Sequence, residues 1–164
     1  QSNLLDGAAH FYDTYECKDG KYVSIGSIEP QFYALLCEKA ELSIDDFGDQ
    51  MKRDTWQNKK QLIKDVFLTK TREEWCDLME GSDVCFAPVL DMSEAPMHPH
   101  NIARQTFIEI EGVTQPAPAP RFDRTQNEIK LPPAIAGEHS KEILESIGID
   151  SNEYDRLISS GSVV

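Results

Sequence analysis

The sequence predicts an α+β fold: a small, mainly antiparallel sheet packed with helices, followed by an extended linker and C-terminal helices. Three observations carry this. Residues 11–28 alternate apolar and polar side chains on either side of Asp19-Gly20, the pattern of a β-hairpin. From Pro30 onward the apolar period lengthens from two residues to three or four, through successive helical segments. Later, Gln115-Pro116-Ala117-Pro118-Ala119-Pro120 admits only an extended backbone, near polyproline II.

The elements follow in order. Residues 1–9 are an irregular lead-in. In the first strand Phe11, Asp13, Tyr15 and Cys17 share one face, and Tyr12, Thr14 and Glu16 the other. Lys18-Asp19-Gly20-Lys21 makes the turn, and Tyr22 to Ile28 returns with β-branched Val23 and Ile25. A lone hairpin is marginal, so it must pack on helices. Pro30 to Ala40 is the first helix, with proline in the first turn, where its missing N–H costs nothing. Residues 43–47 form one short helical turn. Asp54-Thr55-Trp56 opens a longer helix with an inner stripe of Trp56, Lys59, Ile63, Val66 and Phe67. Thr71-Arg72-Glu73-Glu74 is a capping box for a third helix carrying Trp75, Leu78 and Met79. Val84 to Leu90 is a short apolar run, expected as a buried strand or extended segment interrupted by Pro88. Short helical pieces are expected over 91–104. Phe107 to Glu111 alternates like a strand that Gly112 ends, residues 123–137 are surface linker, and Glu138–Gly148 and Asn152–Ser160 are closing helices. The expected organisation is a small α+β domain over 1–112, an extended Pro-rich return linker over 113–137, and a helical segment over 138–164.

At 164 residues the chain is long enough for one domain with a real core. Its 29 acidic against 16 basic residues give a net charge of −13. Such a surface repels phosphate backbones and anionic lipid, so no nucleic-acid partner and no membrane partner is expected. No apolar run reaches the length of a membrane span. The chain opens on Gln1-Ser2-Asn3 rather than Met, so a piece of a longer, cytoplasmic protein is expected.

The four cysteines, Cys17, Cys37, Cys76 and Cys85, form no Cys-x-x-Cys pair and match no zinc-site spacing, so no metal is expected. They read as small hydrophobes in a reducing compartment, with Cys37 and Cys76 on the apolar faces of helices and Cys85 in a buried strand.

Four features could carry chemistry. Gly26-Ser27-Ile28-Glu29-Pro30 puts a carboxylate at a strand-to-helix junction, where Glu29 either serves a site or simply complements the helix dipole. His98-Pro99-His100 would need a third ligand to hold a metal and reads more simply as a loop. Gly137-Glu138-His139-Ser140 is a turn into a helix, which capping explains. Trp56 and Trp75 read as core anchors. The phosphate-binding glycine motifs and the Gly-x-Ser-x-Gly elbow are absent. Residue types alone lead no further than an acidic α+β chain.

Longer strings say more. Asn3-Leu4-Leu5-Asp6-Gly7-Ala8-Ala9, Phe11-Tyr12-Asp13-Thr14-Tyr15, Asp19-Gly20-Lys21-Tyr22-Val23 and Gly26-Ser27-Ile28-Glu29-Pro30-Gln31-Phe32-Tyr33 resemble the racemase branch of the family III CoA-transferases. Ser82-Asp83-Val84-Cys85 and Pro88-Val89-Leu90 continue the likeness, and Pro116-Ala117-Pro118-Ala119-Pro120-Arg121-Phe122 and Gly137-Glu138-His139-Ser140 resemble the family more broadly. His10 departs from the proline common among relatives and reads as a loop change, and Gly7-Ala8 replaces a frequent Gly-Gly.

The resemblance implies the small domain of that fold, with the return linker and C-terminal arm, from a homodimer whose subunits interlock. It implies epimerisation of 2-methylacyl-CoA thioesters through an enolate, with CoA as part of the substrate and no separate cofactor. It assigns Glu29 to orient a catalytic His of the partner subunit's large domain, and places Gly26, Ile28 and Pro30 at the substrate. The family's catalytic His and Asp would lie in the other half of the protein, so this chain alone is expected to be inactive. The alternatives are an acyl-CoA:carboxylate CoA-transferase on the same scaffold and a non-catalytic dimerisation module. A single Gly26, where the transferase branch commonly carries a Gly-rich loop, favours the racemase.

Overall fold

The computed structural model describes residues 2–163, and its contacts group into two units, up to Ala95 and from Pro96 onward. The first unit is built on a three-stranded antiparallel sheet in the order β1-β2-β3, with β1 at Tyr12–Glu16, β2 at Tyr22–Gly26 and β3 at Phe86–Val89. Five residues, 17–21, join β1 to β2. The Gly20 N–H bonds the Cys17 carbonyl at 3.0 Å, and the Cys17 N–H bonds the Lys21 carbonyl at 2.7 Å. Gly20 takes φ +74°, which a residue without Cβ adopts at no steric cost. That loop sets Tyr15 opposite Val23, and both are buried, as is Ile25 two residues on. Thr14, Ser24 and Ala87 line up on the opposite, more open face.

Four helices complete this unit: α1 at Pro30–Lys39, α2 at Ile44–Phe47, α3 at Trp56–Phe67 and α4 at Arg72–Met79. Pro30 opens α1, and Ser43 caps α2 through the Asp45 N–H. A 3-10 turn, Arg53–Thr55, leads into α3. The buried stripe of α3 is Trp56, Lys59, Ile63 and Phe67, with Val66 at its margin. Lys59 is buried because its Nζ donates to the Asp49 carbonyl at 2.7 Å. At α4 the Thr71 hydroxyl accepts from the Glu74 N–H, and the Glu74 carboxylate accepts from the Thr71 N–H at 2.7 Å. Thr71→Ala is therefore expected to cost about 1 kcal/mol in chemical denaturation; an unchanged midpoint would mean the box adds nothing here.

An aromatic chain links sheet to helices. Tyr15 stacks on Phe67 at 5.2 Å, Phe67 meets Trp75 edge-on at 5.0 Å, and Phe11 meets Trp56 edge-on at 5.8 Å. Both tryptophans are core anchors, and each indole N–H is satisfied, Trp75 by the Phe67 carbonyl and Trp56 by that of Gln50.

The structure corrects four local expectations. His10 does lie in the turn ahead of β1, but it is no incidental loop change: it is fully buried, with Nε2 2.8 Å from the Tyr33 hydroxyl and its ring edge-on to Phe11 and Tyr33. Cys85 is exposed, at φ +58°, because regular pairing begins only at Phe86. In the 84–90 run only Val84 is buried, since β3 is an edge strand, where Pro88 costs no ladder bond. Leu78 is also exposed. The four thiols are free: Cys17 is buried, Cys37 and Cys76 are half-buried.

The second unit carries α5 at Pro99–Ala103, the antiparallel pair β4 (Phe107–Ile110) and β5 (Val113–Pro116), α6 at Ser140–Ser146 and α7 at Ser151–Ser159. The 107–111 strand does end at the Gly112 turn, but the sheet continues beyond it. Glu111 and Gly112 take φ +50° and +80°, a two-residue hairpin turn, and the chain returns as β5, which ends on the first proline of the run, Pro116. Residues 123–137 carry no regular helix or strand and are almost entirely exposed.

Candidate functional site

β2 ends at Gly26 and α1 begins at Pro30, so three residues, Ser27, Ile28 and Glu29, make the whole junction. Ser27 is fully buried. Its Oγ donates to the Val84 carbonyl at 2.5 Å, and its N–H donates to the Phe11 carbonyl at 3.0 Å. The Gly26 N–H bonds the Cys85 carbonyl at 2.8 Å, and the Ile28 N–H turns back to the Gly26 carbonyl at 2.8 Å. The carbonyls of Ser27 and Ile28 both accept from one side chain, the carboxamide of Gln50, each at 2.9 Å. The junction backbone is therefore held on every side.

Glu29 stands at the end of this held segment as the N-cap residue of α1, with φ −71° and ψ +143°. Its carbonyl accepts the Tyr33 N–H at 3.0 Å, but its side chain makes no capping bond. The carboxylate is exposed, and among the described residues no ion pair includes it. A rigid backbone thus presents an unpartnered carboxylate to the outside. This departs from the usual N-cap, whose side chain bonds the helix N–H groups.

The other candidates sit around it differently. Gly26 lines a shallow cleft of about 530 Å³ with Leu5, Tyr12, Cys85, Phe86 and Ala87. Ile28 is half-buried and Pro30 exposed, and neither lines the cleft. A Cβ built on Gly26 would meet Tyr12 Cε2 at 3.5 Å and the Cys85 carbonyl at 3.9 Å, ordinary contacts. Gly26→Ala is therefore expected to change unfolding free energy by less than about 1 kcal/mol. A larger loss would show that the fold itself demands glycine there.

Two neighbours escaped the sequence reading. Burial pushes the Cys85 thiol above its usual range, and the Glu29 and Asp83 charges push the same way, which places an exposed thiol within the field of Glu29. Gln50 was missed because a lone glutamine between two helices carries no periodic or motif signal.

The remaining features resolve into structure. The His98 Nδ1 accepts from the His100 N–H at 3.3 Å, capping α5. Among the described residues, no three His, Cys, Asp or Glu side chains are grouped to hold a metal. The Glu138 carboxylate accepts from the Ile135 N–H at 2.9 Å, closing the turn before α6. Among the described residues no helix is long and apolar enough to cross a membrane.

The family model of CoA-transferase family III matches residues 1–140, a span that includes the whole junction. The chain belongs to CoA-transferase family III. Within the family it is 41% identical to human alpha-methylacyl-CoA racemase over 98% of its own length, and 40% identical to the mouse enzyme over 96%. It is 28% identical to mouse succinyl-CoA:glutarate CoA-transferase over 93% of its length. The chain spans 44% of the human racemase and 37% of the mouse transferase. Its fold is that of a solved Mycobacterium tuberculosis protein, Rv3272, with a TM-score of 0.64 at 21% identity, covering 85% of this chain and 41% of that one.

Proposed function

We propose that the protein containing this chain is a racemase of 2-methylacyl-CoA thioesters. The observation that carries this reading is the contrast between 41% identity to an alpha-methylacyl-CoA racemase and 28% identity to a CoA-transferase, each along nearly the whole chain. The free carboxylate of Glu29 on its held junction supports it.

The reaction removes the α-proton from one face of the thioester and returns a proton to the other, through an enolate. Such a step needs two acid–base groups tuned near neutral pH and a polarised carbonyl. In this reading the bases belong to the half of the protein outside this chain, and Glu29 acts on one of them. It accepts the second N–H of a catalytic His from the partner subunit, fixes its tautomer, and stabilises the imidazolium formed when the proton is taken. Gly26, Ile28 and Pro30 then border the substrate. CoA enters as part of the substrate, with no separate cofactor, in a cytoplasmic homodimer. This chain alone does not turn over.

The second reading, transfer of CoA between acids, is favoured by the family's name and by the transferase relatives. One assay separates the two. The full-length protein is given a single epimer of a 2-methylacyl-CoA, with and without a carboxylic-acid acceptor. A racemase yields both epimers with no need of the acceptor. Epimerically pure product, with CoA on the acceptor, would select the transferase.

A further inference from the structure

We infer that Gln50 is a positioning residue for Glu29, an inference that rests on the racemase reading above. The Glu29 carboxylate has no partner of its own among the described residues, so what the fold fixes is its backbone: where its Cα stands and the direction in which its side chain leaves the chain. That backbone follows directly on the Ser27 and Ile28 carbonyls, and Gln50 spends both N–H groups of one carboxamide on them, each at 2.9 Å. Two donors fixed to consecutive carbonyls restrain both the position and the rotation of the segment, which a single bond would not do.

Gln50 is itself anchored in the core. Its side chain is almost fully buried, and its own carbonyl accepts the Trp56 indole N–H at 2.8 Å. The neighbouring Asp49 carbonyl accepts the buried Lys59 ammonium at 2.7 Å. Trp56 and Lys59 lie one turn apart on α3, whose inner face is the core of this unit. A continuous path therefore runs from α3, through the backbone of Asp49 and Gln50 and the Gln50 amide, to the residues that carry Glu29. The path fixes the backbone ahead of α1, from which the Glu29 side chain departs.

A displacement of about 1 Å in a catalytic constellation costs up to about 100-fold in rate. Gln50→Met keeps the shape of the side chain and removes both donors. In the full-length racemase it is expected to lower kcat at least tenfold with KM within twofold. The same change made on a Glu29→Gln background is expected to cost less than twofold more, because a residue that acts through Glu29 has nothing left to position. If Gln50→Met does not fold, Trp56→Phe replaces it: it removes the donor that fixes the Gln50 backbone, keeps a buried ring, and carries the same expectation of non-additivity. Equal losses on both backgrounds, or unchanged kcat in a folded variant, would overturn the inference and leave the racemase reading standing. A wild-type protein that does not racemise would overturn both.

Discussion

Glu29→Gln in the full-length protein is expected to lower kcat for racemisation by about 10²–10⁴-fold while KM stays within about threefold. The carboxamide has the same shape, so binding surfaces are kept. In the racemase reading it loses the negative charge proposed to hold the partner's catalytic imidazole in one tautomer and to stabilise the imidazolium in the transition state. The fold gives the experiment a clean baseline. The Glu29 side chain is exposed and caps nothing, so the substitution is expected to leave unfolding within about 0.5 kcal/mol of wild type. A dipole role alone makes the opposite forecast: a small stability loss and unaltered turnover. Circular dichroism on the same preparation used for kinetics separates the two.

The second large effect concerns acid stability, and it arises from His10. The Tyr33 hydroxyl donates its only proton to the Phe47 carbonyl at 2.9 Å, so it must accept from His10 Nε2–H. Nδ1 is then an acceptor, and it is buried with no partner among the described residues. Protonating it would place a cation among Phe11, Tyr33 and Phe47, with the Lys59 ammonium repelling it. Desolvation first, and Lys59 second, lower the His10 pKa from 6.5 to about 3. The unfolded chain takes up this proton as pH falls below 6.5, and the folded chain does not until near 3. Stability is therefore lost as pH falls through this window, by about 1.4 kcal/mol per unit, or about 2 kcal/mol at pH 5. The surface pulls the other way, because a chain with net charge −13 gains relief from self-repulsion on mild acidification. His10→Phe isolates the buried term. Urea unfolding followed by Trp56 and Trp75 fluorescence is expected to weaken between pH 6.5 and 5 in the wild type and not in the variant. Parallel curves would exclude His10 as the cause.

The fold was legible where one local signal dominates. Asp19-Gly20 and the flanking alternation specify the β1–β2 hairpin, and Thr71-x-x-Glu74 specifies the start of α4. Those signals act within a few residues, and tertiary packing agrees with them. The misses have the opposite character. Glu111-Gly112 is a two-residue turn, but the prolines that follow hide β5 behind a polyproline pattern. The burial of His10 is decided by Tyr33, 23 residues away, which offers the polar partner that lets an imidazole enter a core. The exposure of Cys85 is decided by the edge position of β3, which no apolar run announces.

The candidate site divides in the same way. Placing Glu29 between a strand and a helix needed only the change of period at Glu29-Pro30, and the structure puts it there as the N-cap of α1. What holds the junction was not legible. Gln50 reaches it through its side-chain amide, and Val84 and Cys85 through their carbonyls, from parts of the chain distant in sequence, and such bonds to carbonyls leave no trace in residue type.

Solvent exchange at the α-carbon separates racemisation from CoA transfer in one experiment. The full-length protein is incubated in D₂O with one epimer of a 2-methylacyl-CoA, and the α-position is followed by NMR together with optical purity. Deuterium is expected to enter the α-position as optical purity is lost, with no second acid present and with both changes slowed by Glu29→Gln. An α-proton that stays in place, while added acid takes up CoA, would contradict the racemase reading.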